Sequence, residues 1–394
     1  MDIQRARYLV SDRGRDDLRS VAGAPAADPV ALSTRLRASH EPFVAAALGE
    51  QLSLRARASS RIDDPDTWLY TASGLQMMTH PLVAQRRAHR LATLGFAIAD
   101  LTCGLGGDLR ALAETPGPTF GLEQDGPTAL LAAANVPRGT VIRGDAARPP
   151  LDVGYLAIVL DPSRREGGSR EPDPASFSPP WATSLGLAAG ASAAVLKGPP
   201  GIKDRDIPPA AEVEFVQVGR SLRESALWFG GDAVPGLRRA VHLPSGSTIE
   251  STAPEAPDAT LPVGSFVLDP ESCVTRAGLV RHLAAQVGAS LLDHHVAYLT
   301  ASNATSSPLA AAFEVLDVIP FGVRALKSHL RSRHWRPEEI RRRAFPIEPD
   351  ELRRLLGKIE GDPVALLCTT LAGKRTVIVA RKTPPRPTAK ACRQ

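Results

Sequence analysis

The sequence predicts an α/β protein: a doubly wound, largely parallel sheet, preceded by a helical region and followed by an α+β region. Three observations predict it. Between about residues 95 and 245, short apolar runs alternate with helical patterns, as chained βαβ units require. The first run ends at Asp100 and passes through Thr102-Cys103-Gly104-Leu105-Gly106-Gly107-Asp108 into a helix opening at Leu109. Glycines let a chain turn tightly and approach a ligand closely, and such a strand–turn–helix is where open α/β sheets bind nucleotide-like cofactors. Finally, 394 residues with 43% hydrophobic content suffice for two or three domains with real cores.

Residues 1–80 read as helical, with periodic apolar positions from Pro29 to Leu36 and from Pro42 to Leu54. Pro81 is suited to a helix start, with Leu82–Leu91 as the helix before the glycine strand. Strands are expected at Phe96–Asp100, Thr119–Glu123, Thr140–Gly144, Leu156–Asp161, Ala193–Lys197 and Val213–Val218, within a sheet domain spanning 81–245. Residues 246–263 lie in a stretch rich in Pro, Ser, Thr and Ala, read as a linker or a long hairpin excursion. In 264–382, helices are expected at Arg276–Val287, Pro337–Arg343 and Pro349–Leu356. Strands are expected there at Val315–Ile319, Ala365–Thr369 and Thr376–Ala380. The Pro- and Lys-rich tail 383–394 reads as disordered.

Composition removes several classes. The 4 cysteines, at 103, 273, 368 and 392, form no CxxC pair, which argues against a disulfide framework and a structural zinc site. No metal is expected. No apolar run approaches the ~20 residues that span a bilayer, and Met1-Asp2-Ile3-Gln4-Arg5 lacks the apolar core of a signal peptide. A cytoplasmic protein is expected. The net charge of +5 is compatible with a polyanionic partner and weak evidence by itself.

Three readings compete for the glycine turn. A phosphate-binding P-loop needs GxxxxGK[ST], and no such string occurs. A dinucleotide fingerprint needs GxGxxG/A, and Leu109 stands at its last position. S-adenosylmethionine fits better, because its site has no pyrophosphate to neutralise and carries an acid just before the glycines. The later strand ends agree. Glu123 can accept both hydrogen bonds of a ribose diol, although dinucleotide folds use the same device. Asp145, after Arg143-Gly144, can accept from an adenine amino group, and Asp161 ends the fourth strand. The expected cofactor set is Asp100, Thr102, Cys103, Gly104, Gly106, Gly107, Glu123, Asp145 and Ala146. The competing reading makes these acids helix caps, most readily Asp145.

On these residues the chain resembles class I S-adenosylmethionine-dependent methyltransferases. Asp161-Pro162-Ser163-Arg164 stands where amino-methylating enzymes of nucleic acids carry Asp-Pro-Pro-aromatic, and the glycine turn resembles that of guanine-N2 RNA methyltransferases. It is still more similar to a bacterial methyltransferase-like family with Asp-Pro-small-Arg-Arg at this point and a C-terminal THUMP-like domain. That domain's pattern is carried by Asp293–Leu299, Val315–Phe321, and Arg341-Arg342-Arg343 leading to Pro349-Asp350-Glu351-Leu352. The resemblance implies a Rossmann-like sheet in which Asp161 and the Pro162 carbonyl hold the target amine, with proximity supplying most of the rate. Arg164 replaces the stacking aromatic; a guanidinium plane can stack on a base or bind phosphate. Arg165 and Lys197 are expected at the substrate, the competing readings being a solvated arginine loop and an ordinary surface lysine. Cysteine-dependent pyrimidine methylation is excluded, since Cys103 lies in the cofactor turn.

The segment from Arg324 to Arg343 concentrates basic side chains around His329, His334 and Trp335, which suits a phosphate backbone with an exposed base. A solvated helix face is the plain alternative. Arg341, Arg342 and Arg343 are the expected contacts, and the expected partner is structured RNA, tRNA or rRNA. The expected product is an N-methylated base, guanine N2 first. Methylation of a protein or small molecule, and a non-catalytic RNA-binding scaffold, are the rivals.

Overall fold

The computed structural model describes residues 1–21, 29–164 and 177–383, the side chains of Pro29, Val30 and Arg164 excepted. Arg165, Arg170 and the tail beyond Thr383 lie outside the described residues. The chain forms two compact units: Met1–Val213 with Arg223–Gly236, and Glu214–Leu222 with the chain from Leu237 onward.

The first unit opens with α1 (Ile3–Val10), α2 (Asp12–Val21), α3 (Pro29–Ser39), α4 (Pro42–Ala58), α5 (Ala72–Met77) and α6 (Pro81–Ala92). Proline begins α3, α4 and α6, where its missing N–H is not needed. Then follow β1 (Ala97–Asp100), α7 (Gly107–Leu112), β2 (Thr119–Glu123), α8 (Gly126–Asn135), β3 (Thr140–Arg143) and β4 (Leu156–Leu160). The short strands β5 (Ser163–Arg164) and β6 (Phe177–Ser178) pair with each other, and α9 (Trp181–Gly190) leads to β7 (Ala193–Gly198). The chain crosses between units through β8 (Glu212–Val218) and β9 (Ser221–Gly230).

The sheet of this unit runs β3-β2-β1-β4-β7-β9. The first five strands are parallel and β9 is antiparallel to β7. Strand order therefore reverses between β1 and β4, the switch point at which such sheets leave a crevice. The central strand β4 is buried at every position, as a strand covered on both faces must be. The N-terminal helices share a core with the sheet's flank: Ala6, Leu9, Leu48 and Tyr70 pack in one cluster with Leu105 of the glycine turn and Leu131 of α8.

The second unit contains a hairpin, β10 (Arg238–Leu243) and β11 (Ser247–Glu250), whose second strand occupies part of the stretch read as a linker or hairpin excursion. It continues with β12 (Phe266–Pro270), α10 (Ser272–Ala277), α11 (Val280–Val287), β13 (Ser290–Asp293), β14 (Val296–Ala301) and β15 (Ala310–Pro320). It ends with α12 (Val323–Ser332), β16 (Trp335–Arg343), α13 (Pro349–Leu356), β17 (Asp362–Leu371) and β18 (Lys374–Lys382). A seven-stranded sheet runs β13-β14-β12-β15-β18-β17-β16. The helix expected over Arg276–Val287 is broken at Gly278, which has φ +74°.

The helix expected at Pro337–Arg343 is corrected. Those residues form edge strand β16, parallel to β17 through the α13 crossover, with Pro337 and Ile340 buried. The register shifts between Pro337 and Glu339, and a bulge on an edge strand is where a proline fits a sheet. The charges that suggested a solvated helix face line an exposed sheet edge instead, where they discourage pairing with other chains.

Candidate functional site

The C-terminal ends of β1 to β4 open on a cavity of about 860 Å³. Asp100, Thr102, Cys103, Gly104, Gly107, Glu123, Asp145, Ala146, Asp161 and Pro162 all line it, so ten residues singled out from sequence come together, while Gly106 is not among its lining residues. Its far wall comes from the N-terminal helical region, through Met1, Ser73, Gln76 and Thr79.

The turn is built from the glycines. Gly104 has φ +54°, and a Cβ added there would meet nothing within 4 Å, so bare backbone faces the cavity. Gly106, at φ +92°, is the N-cap of α7, and a Cβ on it would lie 2.5 Å from Val136 Cγ2. A Cβ on Gly107 would lie 2.9 Å from Met78 Cγ, so closeness of packing requires that glycine. Cys103 is buried and its backbone N–H donates to the Leu122 carbonyl at 3.0 Å; burial pushes its thiol far above the usual range. Its side chain packs in one apolar cluster with Leu109, Ala132 and Val136.

Asp100 is 2% exposed and accepts from the Thr102 N–H at 3.1 Å. Burial, reinforced by the nearby Asp108 carboxylate, pushes its carboxyl up to about 8. The Asp161 N–H donates to Thr102 Oγ1 at 2.6 Å, tying the turn after β1 to the motif after β4. Glu123 accepts from the Asp125 N–H at 2.7 Å, and burial raises its carboxyl as well. Asp145 accepts from the Ala147 N–H at 2.9 Å, a local turn bond that leaves its second oxygen for a ligand.

Lys197, expected as a substrate contact or a surface lysine, is instead buried. Its ammonium donates to Asp161 Oδ2 and, at 2.7 Å, to Thr79 Oγ1. Asp108 lies 3.5 Å away and Glu224 3.9 Å. Arg87 on α6 bonds both Asp108 and Glu224, and Thr79 donates to Asp108. Two cations and three carboxylates thus share one cluster: Lys197, Arg87, Asp108 and Glu224 are buried, and Asp161 is its half-exposed member at the cavity. Burial opposes the charge of Lys197, but Asp161, Asp108 and Glu224 outweigh it and hold the ammonium charged. Burial likewise opposes the charge of Asp108, yet Arg87 and Lys197 hold it below the usual carboxylate range. At Glu224 burial prevails and its carboxyl is raised.

The basic triplet of the second unit does not present three equivalent cations. Arg341 and Arg343 bond the buried Asp269, at 2.6 Å and 2.9 Å, and Arg341 also bonds Glu339. Phosphate contact through those two guanidinium groups is therefore revised: both are committed inside the unit. Arg342 bonds Glu348 and the Phe345 carbonyl. The exposed arginines of the run are Arg324, Arg331, Arg333, Arg336 and Arg342, the last of them paired with Glu348. Trp335 is half-buried, with the Arg333 guanidinium 5.7 Å from its ring centre. Asp293 closes a local turn by accepting from the His295 N–H, and its other oxygen accepts from the distant Ala372 N–H.

Residues 310–382 match the THUMP domain-like family, and residues 2–58 match a domain of unknown function. Two strains of Mycobacterium tuberculosis carry a relative, an uncharacterized S-adenosylmethionine-dependent methyltransferase. It is 32% identical to this chain over 348 residues, 84% of this chain and 95% of the relative. The chain belongs to the S-adenosylmethionine-dependent methyltransferase family. A solved structure of a candidate methyltransferase from Porphyromonas gingivalis W83 shares the fold, with TM-score 0.78 and 20% identity over 98% of this chain and 100% of that one.

The residues of this methyltransferase fit its cofactor. The cavity lies within the ~300–1,000 Å³ typical of small-ligand sites. Glu123 could hold the ribose diol, Asp145 with Ala146 the adenine, and Gly104 offers its bare backbone. Sequence reasoning missed Arg87, Asp108, Glu224 and Thr79 as parts of the site. One signal was there: Arg87 stands four residues from both Val83 and Leu91, on the apolar face of α6, where a charge needs a buried partner. Among the described residues, no helix is long and apolar enough to cross a membrane.

Proposed function

We propose that this methyltransferase acts on an exocyclic amino group of a base in structured RNA, tRNA or rRNA, with guanine N2 the first candidate. The observation that carries the reading is Asp161-Pro162 at the end of β4, lining the cavity beside the glycine turn. S-adenosylmethionine, when bound, supplies a methyl group on a sulfonium. Asp161 and the Pro162 carbonyl accept the two amine protons and hold the nitrogen aimed at that methyl. Little acid–base power is required, and alignment carries the rate. The methyl passes from sulfur to nitrogen, the electron pair of the broken C–S bond leaving a neutral thioether as the leaving group, and the nitrogen sheds one proton, which the half-exposed Asp161 passes to water. Cys103 is too deeply buried and too firmly protonated to attack a pyrimidine. Arg164 and Arg165 are assigned to the target nucleotide.

RNA is favoured by the exposed cations Arg324, Arg331, Arg333 and Arg336, all within the stretch that matches a THUMP-like family. The decisive test is transfer of labelled methyl from S-adenosylmethionine into small and ribosomal RNA from a strain lacking this gene, with total protein as a parallel acceptor. Label in one RNA class, lost in Asp161→Ala with cofactor affinity retained, is expected. Label confined to protein overturns the RNA reading. Equal transfer by Asp161→Ala overturns the role of Asp161.

A further inference from the structure

We propose that Lys197 is a positioning residue that works through Asp161: it takes one carboxylate oxygen and leaves the other for the substrate amine. The inference rests on the role given to Asp161 above. An unrestrained carboxylate at a cavity rim can rotate its oxygens and be solvated on both. Here the Lys197 ammonium donates to Oδ2 from below, while the Thr102 hydroxyl accepts the Asp161 backbone N–H at 2.6 Å. Main chain is pinned from the turn after β1 and side chain from β7, which is how a reacting geometry is held before substrate arrives.

Lys197 is itself held. It is 8% exposed, and Thr79 Oγ1 accepts from its ammonium at 2.7 Å. Asp108 and Glu224 supply the countercharge that keeps it an ammonium, and Arg87 balances those two. The pin therefore draws on α6, α7, β7, β9 and the connection after α5. A lysine this enclosed cannot reach a phosphate, and a charged ammonium cannot take the amine's proton. What it can do is fix an acceptor.

A double-mutant cycle with Lys197→Met and Asp161→Asn tests this, read by methyl transfer into the RNA and by calorimetric affinity for S-adenosylmethionine. Lys197→Met should lower kcat at least about tenfold and leave cofactor affinity within about threefold. The double variant should lose no more than Asp161→Asn alone, because a residue acting through Asp161 has nothing left to act on. Losses that multiply, or an unchanged kcat, overturn the proposal. Full activity in Asp161→Asn instead overturns the underlying reading of Asp161. Losing a buried ammonium leaves two carboxylates to one arginine. If Lys197→Met does not fold, Thr79→Val, which removes one anchor of Lys197, enters the same cycle with an expected loss of about threefold. A crystal structure of whichever variant folds gives a readout independent of activity. The Asp161 carboxylate should leave its wild-type rotamer, and an unchanged rotamer overturns the proposal.

Discussion

Asn135 and Leu69 are joined in both directions: the Leu69 N–H donates to Asn135 Oδ1 at 2.8 Å, and Asn135 Nδ2 donates to the Leu69 carbonyl at 3.0 Å. The same Nδ2 donates to the carbonyl of Leu105, inside the glycine turn. One buried amide at the end of α8 thus stitches the segment before α5 to the cofactor turn. Gln51 does the same for Tyr70, bonding its carbonyl at 2.7 Å and its N–H at 2.9 Å. The helical region and the sheet are for this reason one unit.

Asn135→Ala strands three buried backbone groups. It should cost about 2–4 kcal/mol, since leaving buried polar groups unpaired is more expensive than a bond is worth. Urea unfolding of wild type and variant measures it. A loss below about 0.5 kcal/mol would show that water replaces the amide freely.

Gly104→Ala and Gly106→Ala should fail in different ways. Gly106 combines a left-handed backbone with contact against Val136, so its variant should lose about 2–3 kcal/mol of stability. Gly104 meets open space, so its variant should lose only about 1 kcal/mol. Its methyl enters the cavity, however, and S-adenosylmethionine affinity should fall by about tenfold or more. Thermal unfolding with calorimetry separates the two; equal effects on both readouts would refute the contrast.

Asp100 predicts a pH dependence of the ligand-free protein. Its carboxyl sits at about 8 in the fold against an ordinary 3.8, so the native state holds that proton more tightly than the unfolded chain. The stability this lends is complete below its ordinary value and is lost as pH rises toward 8. Urea midpoints between pH 5 and pH 8.5 should therefore fall more steeply for wild type than for Asp100→Asn. Parallel profiles would mean that Asp100 is ionised throughout.

The basic residues of the second unit should divide into two classes. Replacing Arg341 or Arg343 by Met leaves the buried Asp269 short of a partner and should cost about 3 kcal/mol or more. Neutralising Arg324, Arg331 and Arg333 should leave the melting temperature within a degree or two. The salt slope of RNA binding should fall by about 0.7–0.9 for each phosphate that is no longer neutralised. An unchanged slope in the second set would remove this face from the interface.

Much of the site was legible because it is local. Asp100 and Glu123 end their strands and Asp145 and Asp161 follow theirs within two residues, and a parallel sheet delivers successive strand ends to one edge. The turn glycines were legible because backbone conformation demands them. The Lys197 cluster was not, because its members sit at 79, 87, 108, 161, 197 and 224 and nothing in their spacing links them. The strand at 335–343 was misread because its charges suggested a solvated helix face. Pro337 and Ile340 are the only two positions in it that are buried, too few for either period to stand out.

The sequence by itself determined the α/β class, the glycine turn, the four acids and the chemistry they suit, since these follow from local conformation and residue type. Only the tertiary structure decided which charges are spent. It committed Arg341 and Arg343 to Asp269, and Lys197 to Asp161. It also made the N-terminal helices a wall of the cofactor cavity. An ion pair depends on which side chains packing drives out of water together, and that is a property of the assembled core, not of any segment of the chain.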